Sequence, residues 1–187
     1  MTEMAHVPES DDFYDAFVAP MESGMLRAVW RIVRNPNLVQ DTVQDALAAI
    51  WRCREKIRLH PNPPALMLKI TTDVSYDALR RSLRLQQLEQ PAEEGEAAAP
   101  FHAPPAPQIE TDQIEEGIRA AIARLPRKQA MAVLMHLVHE QPYPSVARAL
   151  GCSEPTARIH VMRGRARLRR LLFHLGVAFH GRKGEKQ

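Results

Sequence analysis

Only two cysteines, Cys53 and Cys152, and 5% aromatic residues are found in this chain of 187 residues. Cysteines so far apart, each inside an apolar helical pattern, exclude a disulfide-stapled scaffold and read as small buried hydrophobes in a reducing compartment. Few aromatics and only eight glycines, beside abundant Ala, Leu, Arg and Gln, favour helices over sheets. No apolar run approaches membrane-spanning length, and the N-terminal MTEMAHVPESDD lacks the basic start and apolar core of a signal peptide. A cytoplasmic protein without direct membrane insertion is therefore expected. Also lacking are a Gly-Lys-Ser phosphate loop, a nucleophile elbow and a paired-carboxylate motif, so neither an enzyme nor a cofactor is expected. His136, His139 and Glu140 have helical spacing that could seat a metal, yet no Cys or further His lies near them. Two histidines in an apolar helix more often pack, and no metal site is expected.

What the chain has is positive charge, unevenly placed. Residues 1–88 carry 11 Lys and Arg against 11 acids, residues 89–117 carry eight acids and no Lys or Arg, and residues 118–187 carry 14 Lys and Arg against three acids. The whole-chain net charge of +3 conceals this asymmetry. A C-terminal module of this kind suits phosphates, and six of its arginines lie between Arg158 and Arg170. Arginine can bind phosphate or guanine through two parallel hydrogen bonds, which lysine cannot.

The same region reads as a helix-turn-helix. From about Pro144 to Leu150 a first helix places Val146, Ala147 and Leu150 on one face, and Ala147 is small enough for a second helix to cross closely. Gly151 ends that helix where a left-handed residue costs least. Ser153 is an N-cap candidate and Pro155 fits the first turn of the next helix. Ala157, Val161 and Leu168 form its buried stripe, leaving Thr156, Arg158, Ile159, His160, Met162 and Arg163 to face outwards. An ordinary helical hairpin with a solvated basic face would also account for this segment taken alone.

Between Gln90 and Gln108 the chain reads QPAEEGEAAAPFHAPPAPQ, with five prolines and three glutamates. So little large apolar surface cannot offset ordering entropy, which predicts a flexible tether between two helical domains. Its acidity is simple solvation, a mimic of nucleic acid, or a means of keeping the basic domain from binding non-specifically. The reading is all-α: a flexible N-terminus over 1–12, a first domain over 13–88, an acidic Pro-rich linker over 89–110, a helix-turn-helix domain over 111–176 and a basic tail over 177–187. In the first domain, helical periodicity spans Phe13 to Val33, with Phe13, Phe17, Leu26, Trp30 and Val33 on the stripe and a kink at Pro20. A second helix starts near Asn37, with Leu38, Thr42, Leu47, Ile50 and Trp51 inward. A proline-broken loop is expected over Ile57 to Pro64, then a third helix from Ala65 to Leu88.

Four stretches, in order, resemble a known family. DTVQDALAAIW is similar to the polymerase-binding motif of bacterial RNA polymerase sigma factors of the sigma-70 family, in their compact extracytoplasmic-function subfamily. ALMLKITTDVSYDALRR is similar to the segment that follows it there. LPRKQAMAVLM resembles the opening of that family's second domain, and SVARALGCSEPTARIHVMRGRARLRRLL its closing helix-turn-helix.

The resemblance implies a promoter-specificity subunit that binds core polymerase through the clamp helices of the largest subunit and the flap of the second-largest. Asp41, Gln44 and Asp45 then lie on the clamp-docking face. Arg58, His60, Asn62, Asp73, Asp77, Arg80 and Arg81 fall where the family captures a flipped base of the minus-ten element, with Arg84 also on the backbone. Pulling out a base costs roughly a few kcal/mol, which stacking and hydrogen bonds in a pocket offset. Thr156, Arg158, Ile159, His160, Met162 and Arg163 would read the minus-thirty-five element of promoter DNA. Such factors are commonly restrained by an anti-sigma factor, often membrane-tethered, and that partner is expected here too.

Some positions depart from the family pattern. Asp73 replaces an Asn, Leu66 a Trp and Leu47 an aromatic, while Ile159 and Met162 are apolar where polar or aromatic residues are usual. The base preferences are therefore not transferable, although an apolar contact would suit a thymine methyl. A free-standing helix-turn-helix regulator and a DNA-blind decoy are the competing readings. The first is opposed by the absence of a dimerisation helix, the second by the arginines retained in both domains.

Overall fold

A computed structural model of the chain describes residues 12–89 and 111–173. The N-terminus, the proline-rich tether and the basic tail expected from sequence lie outside the described residues. Those described fold as helices joined by short turns, and no helix among them is long and apolar enough to cross a membrane.

The chain enters through a π-helical turn, Tyr14–Val18, and a 3₁₀ turn, Ala19–Met21, before α1 (Glu22–Val33). Pro20 lies in the first turn of the 3₁₀ segment, where its missing N–H costs nothing, so the expected kink is a change of helix type. Arg34 ends α1 in the left-handed region at φ 53°, its N–H bonded to the Trp30 carbonyl. Helix α2 (Pro36–Arg52) starts on Asn35, whose side chain accepts from the Asn37 N–H at 3.0 Å. Helix α3 (Arg54–Arg58) is one short turn, and α4 (Pro63–Glu89) is the longest element.

Two sequence expectations need correction here. Ile57 belongs to α3 and is fully buried, and Pro63 opens α4 rather than breaking it. Prolines at the start of a helix do no harm because those N–H groups have no intrahelical partner. Asn62 caps the junction, its Oδ1 accepting from the Ala65 N–H at 3.1 Å. In α1 the buried face is Met25, Ala28, Val29, Ile32 and Val33, while Leu26 and Trp30 are 50% and 42% exposed. Periodicity alone does not say which of two apolar stripes a neighbour will cover.

The N-terminal core gathers Phe13, Val18, Met25, Ala46, Ile50, Ile57, Leu66, Met67 and Ile70 around the crossing of α1, α2 and α4. Helix α4 carries Thr71, Thr72 and Ser75 fully inside. Each hydroxyl is satisfied by the carbonyl four residues back, on Met67, Leu68 and Thr71 at 2.9, 2.7 and 2.8 Å.

The C-terminal half comprises α5 (Thr111–Ala123), α6 (Arg127–Val133) with a π-helical end (Leu134–Val138), α7 (Tyr143–Leu150) and α8 (Glu154–Phe173). Ala132, Met135, Val146, Ala147, Ala149, Ala157 and Val161 form its own core. A further cluster belongs to both halves: Ile32, Tyr76 and Leu79 from the first pack with Ile122, Leu125, Ala130, Met131 and Leu134 from the second. The halves are thus in close contact, α4 lying against α5, α6 and α7.

Candidate nucleic-acid interface

The helix-turn-helix is built as its residues direct. Gly151 takes φ 63°, and its N–H bonds back to the carbonyls of Ala147 and Arg148, closing α7. Ser153 Oγ accepts from the Thr156 N–H at 3.4 Å and exchanges a hydrogen bond with the Thr156 hydroxyl at 2.8 Å. Thr156 is consequently half-buried and engaged at the start of α8. Ala157 and Val161 are buried as expected, and Leu168 is half-buried.

Gly164, which the sequence reading passed over, sets the crossing of α8 on α6. A β-carbon there would stand 2.5 Å from Val133 Cγ2 and 3.3 Å from the Gln129 carbonyl oxygen. A lone glycine between two arginines of a helix was the available signal, since glycine inside a helix otherwise costs stability.

Along the outer face of α8, Arg158, Ile159, Met162 and Arg163 are exposed, Met162 at 63%. Arg158 is held in place: its Nε and Nη2 donate to Glu154 Oε1 at 3.1 and 2.6 Å, and its guanidinium lies 4.3 Å from the centre of the Tyr143 ring. Glu154 and Tyr143 therefore position this cation, which periodicity could not reveal because Tyr143 lies on the preceding helix. His160 differs from expectation: it is half-buried, with Nδ1 enclosed and unbonded. His136 stacks on Tyr143 at 4.0 Å and its Nδ1 is 2.8 Å from the Gln141 carbonyl. Among the described residues no group of three His, Cys, Asp or Glu could hold a metal ion. Burial, with Arg31 nearby adding to it, pushes the His139 imidazole down to about 4.

The first half contributes a second cationic surface. On α4, Arg80, Arg81 and Arg84 are exposed and share with Arg124 of α5 an open cleft of about 620 Å³ floored by Leu83, Ala120 and Ala123. Arg80 lies over the ring of Tyr76 at 5.7 Å. Tyr76 is fully buried; its hydroxyl donates to the Leu125 carbonyl at 2.7 Å, and burial raises its pKa. Near the start of α4, Leu59 is 86% exposed, Arg58 lies over Phe13 at 5.6 Å, and the His60 ring accepts from the Asn62 N–H at 3.1 Å.

Asp73 and Asp77 are both paired, although the Asp77 side chain is 46% exposed. Arg127 of α6 donates to Asp77 Oδ1 and Oδ2 at 2.7 and 3.1 Å and to Asp73 Oδ1 at 3.1 Å, while Lys69 pairs with Asp73 from within α4. The guanidinium is held further above its ordinary range, chiefly by the Asp77 hydrogen bond and despite partial burial. The sequence carries no signal for this role of Arg127, since nothing local ties it to residues 50 and 54 positions earlier. Elsewhere on the first half, Asp41, Gln44, Asp45 and Ala48 form one exposed row on α2, whose last turn carries Trp51 at 39% exposure. Neither Asp41 nor Asp45 makes an ion pair among the described residues.

Comparison with known proteins adds the following. Residues 115–168, from α5 through most of α8, match the family model described as Sigma-70, region 4. No curated protein matches the chain. Among solved structures, the sigma factor RpoE in complex with the anti-sigma factor NepR from Bartonella quintana is similar at TM-score 0.51 and 19% identity, over 87% of this chain and 98% of that one. CnrH in complex with the cytosolic domain of CnrY is similar at TM-score 0.52 and 18% identity, over 89% and 90%. At these identities the likeness is one of fold.

Proposed function

We propose that this chain is a sigma-70 family factor of the extracytoplasmic-function type that binds core RNA polymerase, directs it to a two-part promoter and helps open the DNA. The observation that carries this reading is the exposed outer face of α8, with Arg158 pre-positioned by Glu154 and Tyr143, inside a segment that matches sigma-70 region 4. Arg158, Ile159, Met162 and Arg163 meet the upstream element in the major groove. The arginines supply phosphate or guanine contacts, and the apolar pair supplies contact with thymine methyls. Thr156 and His160 act beneath them, Thr156 through the start of the helix. A good bidentate base contact is worth about 1–3 kcal/mol, so few are needed.

In the first half, Arg58, His60 and Asn62 border the minus-ten pocket with Asp73 and Asp77, and Arg80, Arg81 and Arg84 follow the strand backbone. The row of Asp41, Gln44 and Asp45, with Trp51 as an apolar neighbour, docks on the polymerase clamp: a polar rim around an aromatic anchor is the usual make-up of such a patch. The second domain engages the polymerase flap. An anti-sigma protein is the expected regulator, in keeping with the similar RpoE having been solved with the anti-sigma factor NepR.

The test is to mix the purified chain with bacterial core polymerase and a library of promoter fragments, and to follow complex formation on a sizing column and start-specific transcripts. A stable complex giving transcripts from a shared two-part motif is expected. No complex, with tight duplex binding by the chain alone, would replace this reading with a free-standing regulator.

A further inference from the structure

We propose that Met162 is a modification site: hydrogen peroxide and related oxygen-atom donors convert its thioether to the sulfoxide, and the oxidised chain holds its upstream promoter element more weakly. The second part rests on the reading of the outer face of α8 as the surface that enters the major groove.

Accessibility singles this residue out. Met162 is 63% exposed, whereas Met25, Met67, Met131 and Met135 are at most 2% exposed inside the packed cores. Met21 is half-buried against the N-terminal core. Oxidation needs the peroxide at the sulfur itself. A sulfur lone pair attacks one peroxide oxygen, the S–O bond forms as the O–O bond breaks, and the departing hydroxide takes the proton of the transferred hydroxyl to become water. Sulfur loses two electrons and the peroxide gains them, with no metal or cofactor needed. Buried methionines meet the oxidant only when the chain opens locally, so they react late.

The place of Met162 on α8 gives the change a consequence. Ile159 and Arg158 lie three and four positions before it, and all three side chains are exposed, so they share one face of the helix. Two bare apolar groups in an arginine-rich helix suit a thymine methyl. The sulfoxide is polar and keeps its water, which removes Met162 from that contact. Its oxygen is also a hydrogen-bond acceptor one turn from Arg158, the cation that Glu154 holds at 2.6 Å and Tyr143 braces at 4.3 Å. A bond from Arg158 to that oxygen takes a donor away from the base. The buried stripe of α8, Ala157, Val161, Gly164 and Leu172, is not touched by the reaction. Oxidation therefore alters the reading surface and leaves the packing of the helix intact. DNA in the groove covers the thioether, so the free chain is the form that is oxidised.

The experiment treats the full chain with graded hydrogen peroxide, removes the peroxide with catalase, and adds a thiol reductant to restore Cys53 and Cys152, which does not reduce a sulfoxide. Peptide masses read oxidation at each methionine. Untreated core polymerase is then added, and affinity is measured for a promoter with its minus-thirty-five element intact or scrambled. Met162 should oxidise at least about tenfold faster than Met25, Met67, Met131 and Met135. Affinity for the intact promoter should fall about fourfold, the worth of one buried methylene, and towards about tenfold where Arg158 is diverted as well. The scrambled promoter should scarcely respond. Methionine sulfoxide reductases should restore binding. Met162→Leu, compared with itself before and after peroxide, should show no fall, and untreated Met162→Gln should bind as weakly as the oxidised parent. Oxidation of Met162 no faster than of the buried methionines would overturn the modification site. An equal fall in Met162→Leu would place the effect elsewhere and overturn the second part. Selective oxidation with affinity unchanged would overturn that part too, together with the place of Met162 in the groove. An untreated chain that forms no polymerase complex would sink the proposed function and the second part with it, while the masses still decide the first.

Discussion

Replacing Gly164 by alanine sets two effects against each other, and the structure decides between them. Helix propensity favours the change, since alanine in a helix interior is better than glycine by about 1 kcal/mol. Packing opposes it. The new methyl would lie 2.5 Å from Val133 Cγ2, a distance real β-carbons do not keep, and 3.3 Å from the Gln129 carbonyl oxygen. Val133 is 2% exposed and β-branched, so its methyl has little room to swing away, and the carbonyl belongs to the backbone of α6. Overpacking of this kind costs about 1–3 kcal/mol, and with a backbone atom among the neighbours the upper part of that range applies. The net expectation is a loss of about 1–2 kcal/mol, read by urea unfolding as a midpoint lowered by roughly 0.5–1 M at an ordinary slope of about 2 kcal/mol/M. Because α8 must lift from α6 to admit the methyl, duplex binding should weaken as well, while polymerase docking through α2 is untouched. A variant as stable as the parent or more so would refute the reasoning, showing that propensity wins and that the two helices do not cross as tightly as drawn.

Three other outcomes are expected. Gln44→Ala with Asp45→Ala should weaken polymerase binding, whereas Arg158→Ala with Arg163→Ala should spare it and cost about 1–3 kcal/mol per lost base contact at the upstream element; column co-elution and footprinting would read these, and equal loss of polymerase binding in both would contradict the division of labour. Tyr76→Phe should destabilise by about 1–3 kcal/mol, because the Leu125 carbonyl loses its partner inside a buried cluster; thermal unfolding measures it, and a neutral result would mean the bond contributes nothing. His139 is depressed to about 4 by burial and by Arg31. Its neutral form is the folded one, so stability is level above the unfolded pKa near 6.5, falls as pH drops from there, and levels off below about 4, a loss on the order of 3 kcal/mol. His139→Gln should flatten that part of the stability profile relative to the parent, and identical profiles would sink the assignment.

The helix-turn-helix was readable because its instructions are local. Gly151 needs only its own φ, Ser153 and Pro155 act within one turn, and Ala157 and Val161 are a single stripe with no rival. The row of Asp41, Gln44, Asp45 and Ala48 was readable for the same reason, as one face of one helix. Readings failed where two local answers were equally good. Leu26 and Trp30 are as apolar as Met25 and Val29, and only the course of α4 selects between them. The prolines after Pro61 could break a helix or begin one, and the Asn62 cap decided it.

Local pattern by itself therefore determined the helices, their caps and the cationic character of α8, because hydrophobic period and turn chemistry act over a few residues. The tertiary structure alone decided how those helices meet. Arg127 lies between Asp73 and Asp77, and the Tyr76 hydroxyl reaches a carbonyl 49 residues away. Tyr143 braces Arg158 from the neighbouring helix, and Gly164 is small because Val133 is there. No periodicity encodes such pairs: each depends on two distant segments arriving at one place, and that is settled by the packing of the whole chain.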